Sequence, residues 1–196
     1  MFPRAPLTAL VTMAVFTAAL YVVELADRLA PAVALDENGI VPREVSGLDG
    51  VLWAPLLHGG WAHLAANTVP FLLFGFLAMA GGLGQFVVVT ATIWLLGGLG
   101  TWLTGDDGVH LGASGLVFGW LAFLLARGFF ARSIRQIALA VVLFAFWGGV
   151  LFAGVLPGQP GISWQGHLFG ALAGLLAAWL VTRADRVRPP AVGVAP

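Results

Sequence analysis

The sequence predicts an all-α membrane protein, a bundle of six transmembrane helices within a single domain, residues 1–182. Of its 196 residues, 60% are hydrophobic and only 9% are charged, which lies outside the range of soluble globular proteins. The mean hydropathy is +0.96, and the apolar residues form runs of about 20, the length that crosses a bilayer. The predicted spans lie near residues 6–25, 62–80, 84–103, 111–127, 134–156 and 164–182.

Charge and cysteine content exclude several kinds of function. The formal net charge is zero, and the arginines that supply all the basic residues are scattered, so we expect no nucleic-acid partner. The chain has no cysteine, which excludes a thiolate nucleophile and a cysteine-ligated metal. Covalent chemistry would therefore depend on serine, threonine or a carboxylate, and the sequence predicts no cofactor.

The first predicted span follows Arg4. Its apolar run, Leu7 to Val23, has the features of a signal peptide except for small residues before a cleavage point, so an uncleaved helix is favoured. The longest non-apolar stretch follows, an outer loop at 26–61 with five acidic residues and three prolines. We expect this loop to be ordered, with residues 51–53 at the membrane interface because tryptophan favours the headgroup level.

The fourth predicted span, 111–127, is unusually short. It rises only about 24 Å, which is less than the roughly 30 Å of a hydrocarbon core. The chain enters it through Gly105, Gly108 and Gly112, which indicates a loop that dips into the protein beside a polar cavity. At the end of the chain, the polar tail 183–196 contains prolines and is predicted to be disordered.

The distribution of arginines predicts the orientation in the membrane. With the N-terminus inside, seven of the nine arginines lie on the inner side, and only Arg28 and Arg43 lie outside. Both termini are then cytoplasmic, and the helices that begin near residues 62, 111 and 164 run inward from the outer face. Abundant alanine, glycine and arginine without lysine is compatible with a GC-rich bacterial genome, so we expect a multi-pass protein of the bacterial plasma membrane, embedded in the lipid bilayer.

Polar side chains lie at the heads of these three inward-running helices. His63 and Asn67 share one face of the second helix, Ser114 begins the fourth, and His167 begins the sixth. Because the three helices start at the same membrane surface, we expect these side chains at one depth, around a hydrated cavity. Glycines four residues apart would let the fourth and sixth helices pack closely; they are Gly115, Gly119, Gly170 and Gly174.

Ser114 lies in a Gly-Ala-Ser-Gly turn, residues 112–115, and its hydroxyl is a nucleophile only when a base removes its proton. A neutral imidazole is the usual base near pH 7, so His167 is the expected partner. The negative charge that forms on an attacked carbonyl needs donors, for which the candidates are the Ser114 N–H, His63 and Asn67. We expect no carboxylate at this depth that could orient the histidine, which favours a dyad over a triad.

Three motifs stand together in the order and helix placement of a known family. They are His58-Gly-Gly-Trp-Ala-His63-Leu-Ala-Ala-Asn67, Gly112-Ala-Ser114-Gly115 and Gly166-His167-Leu-Phe-Gly170. With the six spans, this pattern resembles the rhomboid intramembrane serine proteases over residues 6–182. The resemblance implies cleavage of single-span membrane proteins in or near the transmembrane segment, with small residues at the cut site and helix-destabilising sequence in the substrate span.

The resemblance also assigns roles to the candidate residues. It implies that Ser114 is the nucleophile and His167 the base. It implies that His63 and Asn67, with the Ser114 N–H, bind the oxyanion, and that His58 supports the loop above the site.

Other positions either match the family or depart from it. Gly112 and Gly115 flank the serine as the motif requires. Phe118 stands where many bacterial members have a tyrosine that stacks on the catalytic histidine; phenylalanine can stack but cannot hydrogen-bond. The acidic residue that many members carry near the inner end of the second helix is missing from 74–84, and their Trp-Arg pair is not evident in 26–60.

Two other functions compete with proteolysis. A catalytically inactive relative would keep the fold to bind or retain membrane clients, but it predicts a lost polar site, whereas every matching position is present. A metal- or haem-binding protein would use His58, His63, His110 and His167, although the His-x4-His spacing does not place both imidazoles on one helix face. His110 is either a solvated loop residue or a source of charge near the oxyanion donors. Substrate identity, substrate gate and oligomeric state stay open.

Overall fold

The computed structural model describes residues 3–187, and within that range the chain is helical. The described part contains no strand beyond an isolated bridge between Ile40 and His110. Its α-helices are α1 (Pro6–Leu29), α2 (Gly50–Trp53), α3 (Trp61–Ala78), α4 (Leu83–Thr104), α5 (Ser114–Phe130), α6 (Ile134–Gly154) and α7 (Trp164–Val187). Short 3₁₀ turns cover Leu35–Asn38, Val45–Gly47, Ala54–Leu56 and Met79–Gly81.

Five of these helices, α1, α3, α4, α6 and α7, are long and apolar enough to cross a membrane. The protein is therefore an all-helical, multi-pass membrane protein. The apolar helix α5 has only 17 residues, and it lies at the centre of the bundle, where every residue from Leu116 to Leu124 is buried. Because its middle is enclosed by other helices, its length need not match the bilayer.

Helix α1 extends four residues beyond the predicted end of the first span, to Leu29. Glu24 and Arg28 explain the extension, since they form an i,i+4 ion pair of 2.8 Å in the last turns. The arginine also lies at the helix C-terminus, where a positive charge complements the helix dipole. The outer loop therefore begins later than the sequence indicates.

Helix α7 also runs further than predicted, because residues 183–187 continue the helix. The prediction of disorder from residue 183 is wrong for these five residues, and 188–196 lie outside the described residues. Tertiary contacts favour the helical form: the Asp185 carboxylate lies 3.7 Å from the Arg127 guanidinium, and Arg186 donates a hydrogen bond to the Phe130 carbonyl.

The loop between α1 and α3 is folded onto the bundle. Val51 in α2 is buried, and its carbonyl accepts a 2.9 Å hydrogen bond from the Trp94 indole of α4. Trp53, at the end of α2, stays half-exposed. Part of the segment predicted to lie at the membrane interface, residues 51–53, is thus packed against a neighbouring helix.

Glycines bring α5 and α7 into backbone contact, as their spacing predicts. A Cβ added at Gly170 would collide with the Gly115 carbonyl, and one at Gly174 would collide with the Gly119 carbonyl. Helix α4 joins this contact, since a Cβ on Gly97 would lie 3.3 Å from the Gly170 Cα. Any side chain larger than hydrogen at the two α7 positions would separate the helices.

Candidate active site

Helices α3, α5 and α7 all begin at one end of the bundle, which we call the site end. A cavity of about 790 Å³ opens there between the three helix heads. Ser114, His167, His63 and Asn67 all line this cavity, so the fold brings together the four side chains that the sequence predicted at one depth. A cavity of this size with several polar groups can hold water as well as a peptide.

Ser114 and His167 are in hydrogen-bond contact, with 2.9 Å between the serine Oγ and the histidine Nε2. The other ring nitrogen, Nδ1, lies 2.9 Å from the Gly154 carbonyl oxygen. Because a carbonyl only accepts, Nδ1 carries the proton and Nε2 presents its lone pair to the serine. The imidazole is therefore held in the tautomer that can act as a base.

The His167 ring is also fixed by stacking. The Phe118 ring lies parallel to it, with 4.0 Å between centroids and 9° between planes. A Cβ on Gly154 would come within 3.1 Å of His167 Nδ1 and would collide with the Phe118 ring. Sequence reasoning found Phe118 but missed Gly154, whose role depends on a backbone carbonyl at the end of α6 that no side-chain motif signals.

His63 has one defined tautomer as well. The Gly59 backbone N–H donates to His63 Nδ1 over 3.3 Å, which leaves the proton on Nε2. A Cβ on Gly112 would lie only 2.8 Å from that Nε2, so the donor faces the turn just before Ser114. Gly112 also has φ +117°, a backbone conformation that residues with a Cβ disfavour. Glycine is therefore required there both for space and for backbone conformation.

Asn67 lies one turn after His63 on α3. Its Nδ2 donates to the His63 carbonyl over 3.0 Å, which uses one of the two amide hydrogens. The side chain is buried and borders the same cavity as Ser114. The second amide hydrogen is thus available to a group bound in the cavity.

His58 supports the turn that leads into Ser114. It is buried, and its Nε2 accepts a 3.3 Å hydrogen bond from the Ala113 N–H, while the Gly112 N–H donates to the Ala54 carbonyl over 2.8 Å. Burial, with a smaller contribution from His63, lowers the pKa of His58 to about 4. The ring is therefore neutral at physiological pH, as an acceptor must be.

Residues 105–113, the Ser114 loop, are hydrogen-bonded to the loop between α1 and α3, which we call the first loop. Ile40 and His110 exchange two backbone hydrogen bonds of 2.8 and 2.9 Å. The Arg43 guanidinium donates to the Gly105 carbonyl over 2.6 Å and to the Asp107 carboxylate over 2.8 Å. The backbone before Ser114 is thus held on several sides.

A buried carboxylate lies near the site end, but it does not orient His167, whose Nδ1 is bonded to the Gly154 carbonyl. Glu24 is buried near the site end, in the last turns of α1. Its carboxylate bonds the Arg28 guanidinium, and no contact among the described residues joins it to His167. Its burial was not predicted from the sequence, in which Glu24 directly follows the apolar run Leu7 to Val23.

The histidines do not converge on a single point. The His58 and His63 rings lie 5.1 Å apart between centroids, in an edge-on arrangement. Within residues 3–187, however, no three His, Cys, Asp or Glu side chains are grouped so that they could hold a metal ion. This arrangement gives no support to the metal- or haem-binding alternative.

Comparison with known proteins places these features in a family. The family model described as the Rhomboid domain matches residues 47–184, which include all the helices that border the cavity. Uncharacterized protein Rv1337 of Mycobacterium tuberculosis (strain ATCC 25618 / H37Rv) is 52% identical over 184 residues, 89% of this chain and 76% of that protein. Uncharacterized protein ML1171 of Mycobacterium leprae (strain TN) is 49% identical over 185 residues, 90% of this chain and 72% of that protein.

A third relative carries a family name. YdcA of Bacillus subtilis (strain 168), provisionally described as a rhomboid protease, is 32% identical over 130 residues, 64% of this chain and 63% of that protein. The family model agrees with this name and covers most of the chain. The chain therefore belongs to the rhomboid family.

Proposed function

We propose that the protein is an intramembrane serine protease that hydrolyses peptide bonds in or near the transmembrane segments of membrane-protein substrates. The observation that carries the proposal is the 2.9 Å contact between Ser114 Oγ and His167 Nε2, with Nδ1 committed to the Gly154 carbonyl. Membership of the rhomboid family supports it.

In the proposed mechanism, His167 Nε2 takes the serine proton as Ser114 Oγ attacks the peptide carbonyl carbon. The imidazolium then donates that proton to the leaving amine, and an acyl-enzyme remains. A water molecule, activated by the same nitrogen, hydrolyses the ester and regenerates the serine. The Gly154 carbonyl and the Phe118 ring hold the imidazole in position through both steps.

The oxyanion of the tetrahedral intermediate would be bound by three donors. One is the Ser114 backbone N–H, which lies in the first turn of α5 and has no partner within the helix. The second is the Nε2–H of His63, and the third is the free amide hydrogen of Asn67. Removal of one such donor typically lowers kcat by about 10²–10³.

We further propose that α5 is a sixth span, and that both termini are cytoplasmic. The site end would then face the outer side of a bacterial plasma membrane. Arg127, Arg132 and Arg135 support this orientation, because they lie where α5 ends and α6 begins, at the end of the bundle opposite the site end.

Labelling with a fluorophosphonate probe in detergent tests the mechanism. We expect the parent protein to be labelled, and Ser114→Ala and His167→Ala to be unlabelled although folded. Ser133→Ala, which changes a serine at the opposite end, should be labelled like the parent. Labelling of Ser114→Ala would contradict the mechanism. An unlabelled parent that still binds a single-span client would instead favour the inactive, client-retaining relative.

A further inference from the structure

His110 lies in the Ser114 loop, and both of its ring nitrogens are hydrogen-bonded. Nε2 lies 2.8 Å from the Asp106 carbonyl, and Nδ1 lies 2.6 Å from the Ser163 hydroxyl. Because the carbonyl only accepts, Nε2 carries the proton and Nδ1 accepts the hydrogen of the Ser163 hydroxyl. The imidazole is therefore not a solvated loop side chain but a link between the Ser114 loop and the residue before α7.

Ser163 directly precedes α7. Its Oγ accepts a 3.3 Å hydrogen bond from the Gly166 N–H, and its carbonyl accepts a 3.1 Å bond from the His167 N–H. The hydroxyl thus caps the helix that carries His167 while it donates to His110. A shift of Ser163 would move the first turn of α7 with it.

The link is placed symmetrically with respect to the reacting pair. His110 precedes Ser114 by four residues, and Ser163 precedes His167 by four residues. The 2.6 Å bond between His110 and Ser163 therefore joins the same two segments whose 2.9 Å contact is between Ser114 and His167. The two segments that must keep the nucleophile and the base together are joined just outside the dyad.

A second bond joins the same segments. The Trp164 indole donates to the Asp106 carboxylate over 3.2 Å. By contrast, the bonds from Arg43 and Ile40 tie the Ser114 loop only to the first loop. They cannot set its distance from α7.

We propose that His110 and Ser163 are positioning residues that set the separation of Ser114 and His167, an inference that rests on the proposed proteolytic function. Both side chains line the cavity, but their bond acts on the chemical step, because it joins the segments that carry the nucleophile and the base. Its loss lets the Ser114 loop and the head of α7 drift apart, and a misplacement of about 1 Å costs up to about 10² in rate.

The test compares kcat and KM for cleavage of a single-span reporter. Ser163→Gly removes the hydroxyl, although glycine is accepted at helix N-caps nearly as well as threonine. We expect a fall in kcat of about 10-fold or more, with KM within about threefold of the parent. Ser163→Thr restores a hydroxyl and should recover most of the lost kcat. The matched control is Ser133→Gly, at the N-cap of α6, where no side-chain cap bond exists; it should behave like the parent.

His110→Ala provides a second route to the same link and leaves the helix cap in place. It should lower kcat as Ser163→Gly does, and the double variant should be no slower than the worse single variant, because both changes break one bond. Parent-like kcat in either single variant would overturn the inference, as would an equal loss in Ser163→Thr. Probe labelling at Ser163 would overturn it too, by making this pair a second reactive site. Cleavage by Ser114→Ala would instead refute the proposed function.

Discussion

Gly170→Ala should lower kcat by about 10², although Gly170 does not line the cavity. The added Cβ would lie 3.0 Å from the Gly115 carbonyl carbon and closer still to its oxygen. Carbon atoms pack at about 3.5–4.0 Å, so α5 and α7 must separate by about 0.5–1 Å at this level. Gly115 adjoins Ser114, so the 2.9 Å contact with His167 would stretch to about 3.4–3.9 Å, beyond an ordinary hydrogen bond.

The expected loss for Gly170→Ala is on the order of 10² in kcat, measured by reporter cleavage and by the rate of fluorophosphonate labelling. Gly149→Ala is the matched control, since a Cβ there meets no heavy atom within 4 Å. Both changes replace glycine by a better helix former, so propensity cannot cause a loss. If Gly170→Ala reacted at the parent rate, backbone contact between α5 and α7 would not set the geometry of the dyad.

Two further changes test the surroundings of the site. Phe118→Leu removes the ring that stacks on His167 and should lower kcat by about 10-fold. The control Phe146→Leu changes an exposed ring and should leave kcat unchanged. Equal kcat values for the two variants would show that stacking does not hold the base. The pKa of His58 is about 4 in the folded protein, against an ordinary value of 6.5. Between pH 6.5 and 4 the unfolded chain therefore binds more protons than the folded protein, and the free energy of unfolding falls as the pH drops through this range. His58→Gln keeps an acceptor for the Ala113 N–H without titrating. The parent should therefore lose about 2 kcal/mol more than this variant between pH 7 and 4.5 in thermal unfolding, and parallel curves would contradict the shifted pKa.

Much of the fold follows from composition, because apolar runs of bilayer length leave the backbone few alternatives to helix. The contact between Ser114 and His167 could also be predicted from the sequence. The topology indicates which helices begin at the same end, and the glycine spacing indicates which helices pack closely. What could not be read from the sequence depends on backbone atoms or burial. The carbonyl of Gly154 and the buried carboxylate of Glu24 are two such cases, and the hydrogen bond from Ser163 to His110 is a third. No local pattern reports these contacts, because each joins segments that are distant in the sequence or only become neighbours after folding.

Cleavage of a single-span reporter in proteoliposomes, with the products identified by mass, tests the central proposal most directly. The parent should release two fragments whose masses place the cut in or near the transmembrane segment of the reporter, and Ser114→Ala should release none. Fragments of the same mass from Ser114→Ala, or a cut far from the membrane-spanning segment, would contradict proteolysis by the Ser114–His167 pair.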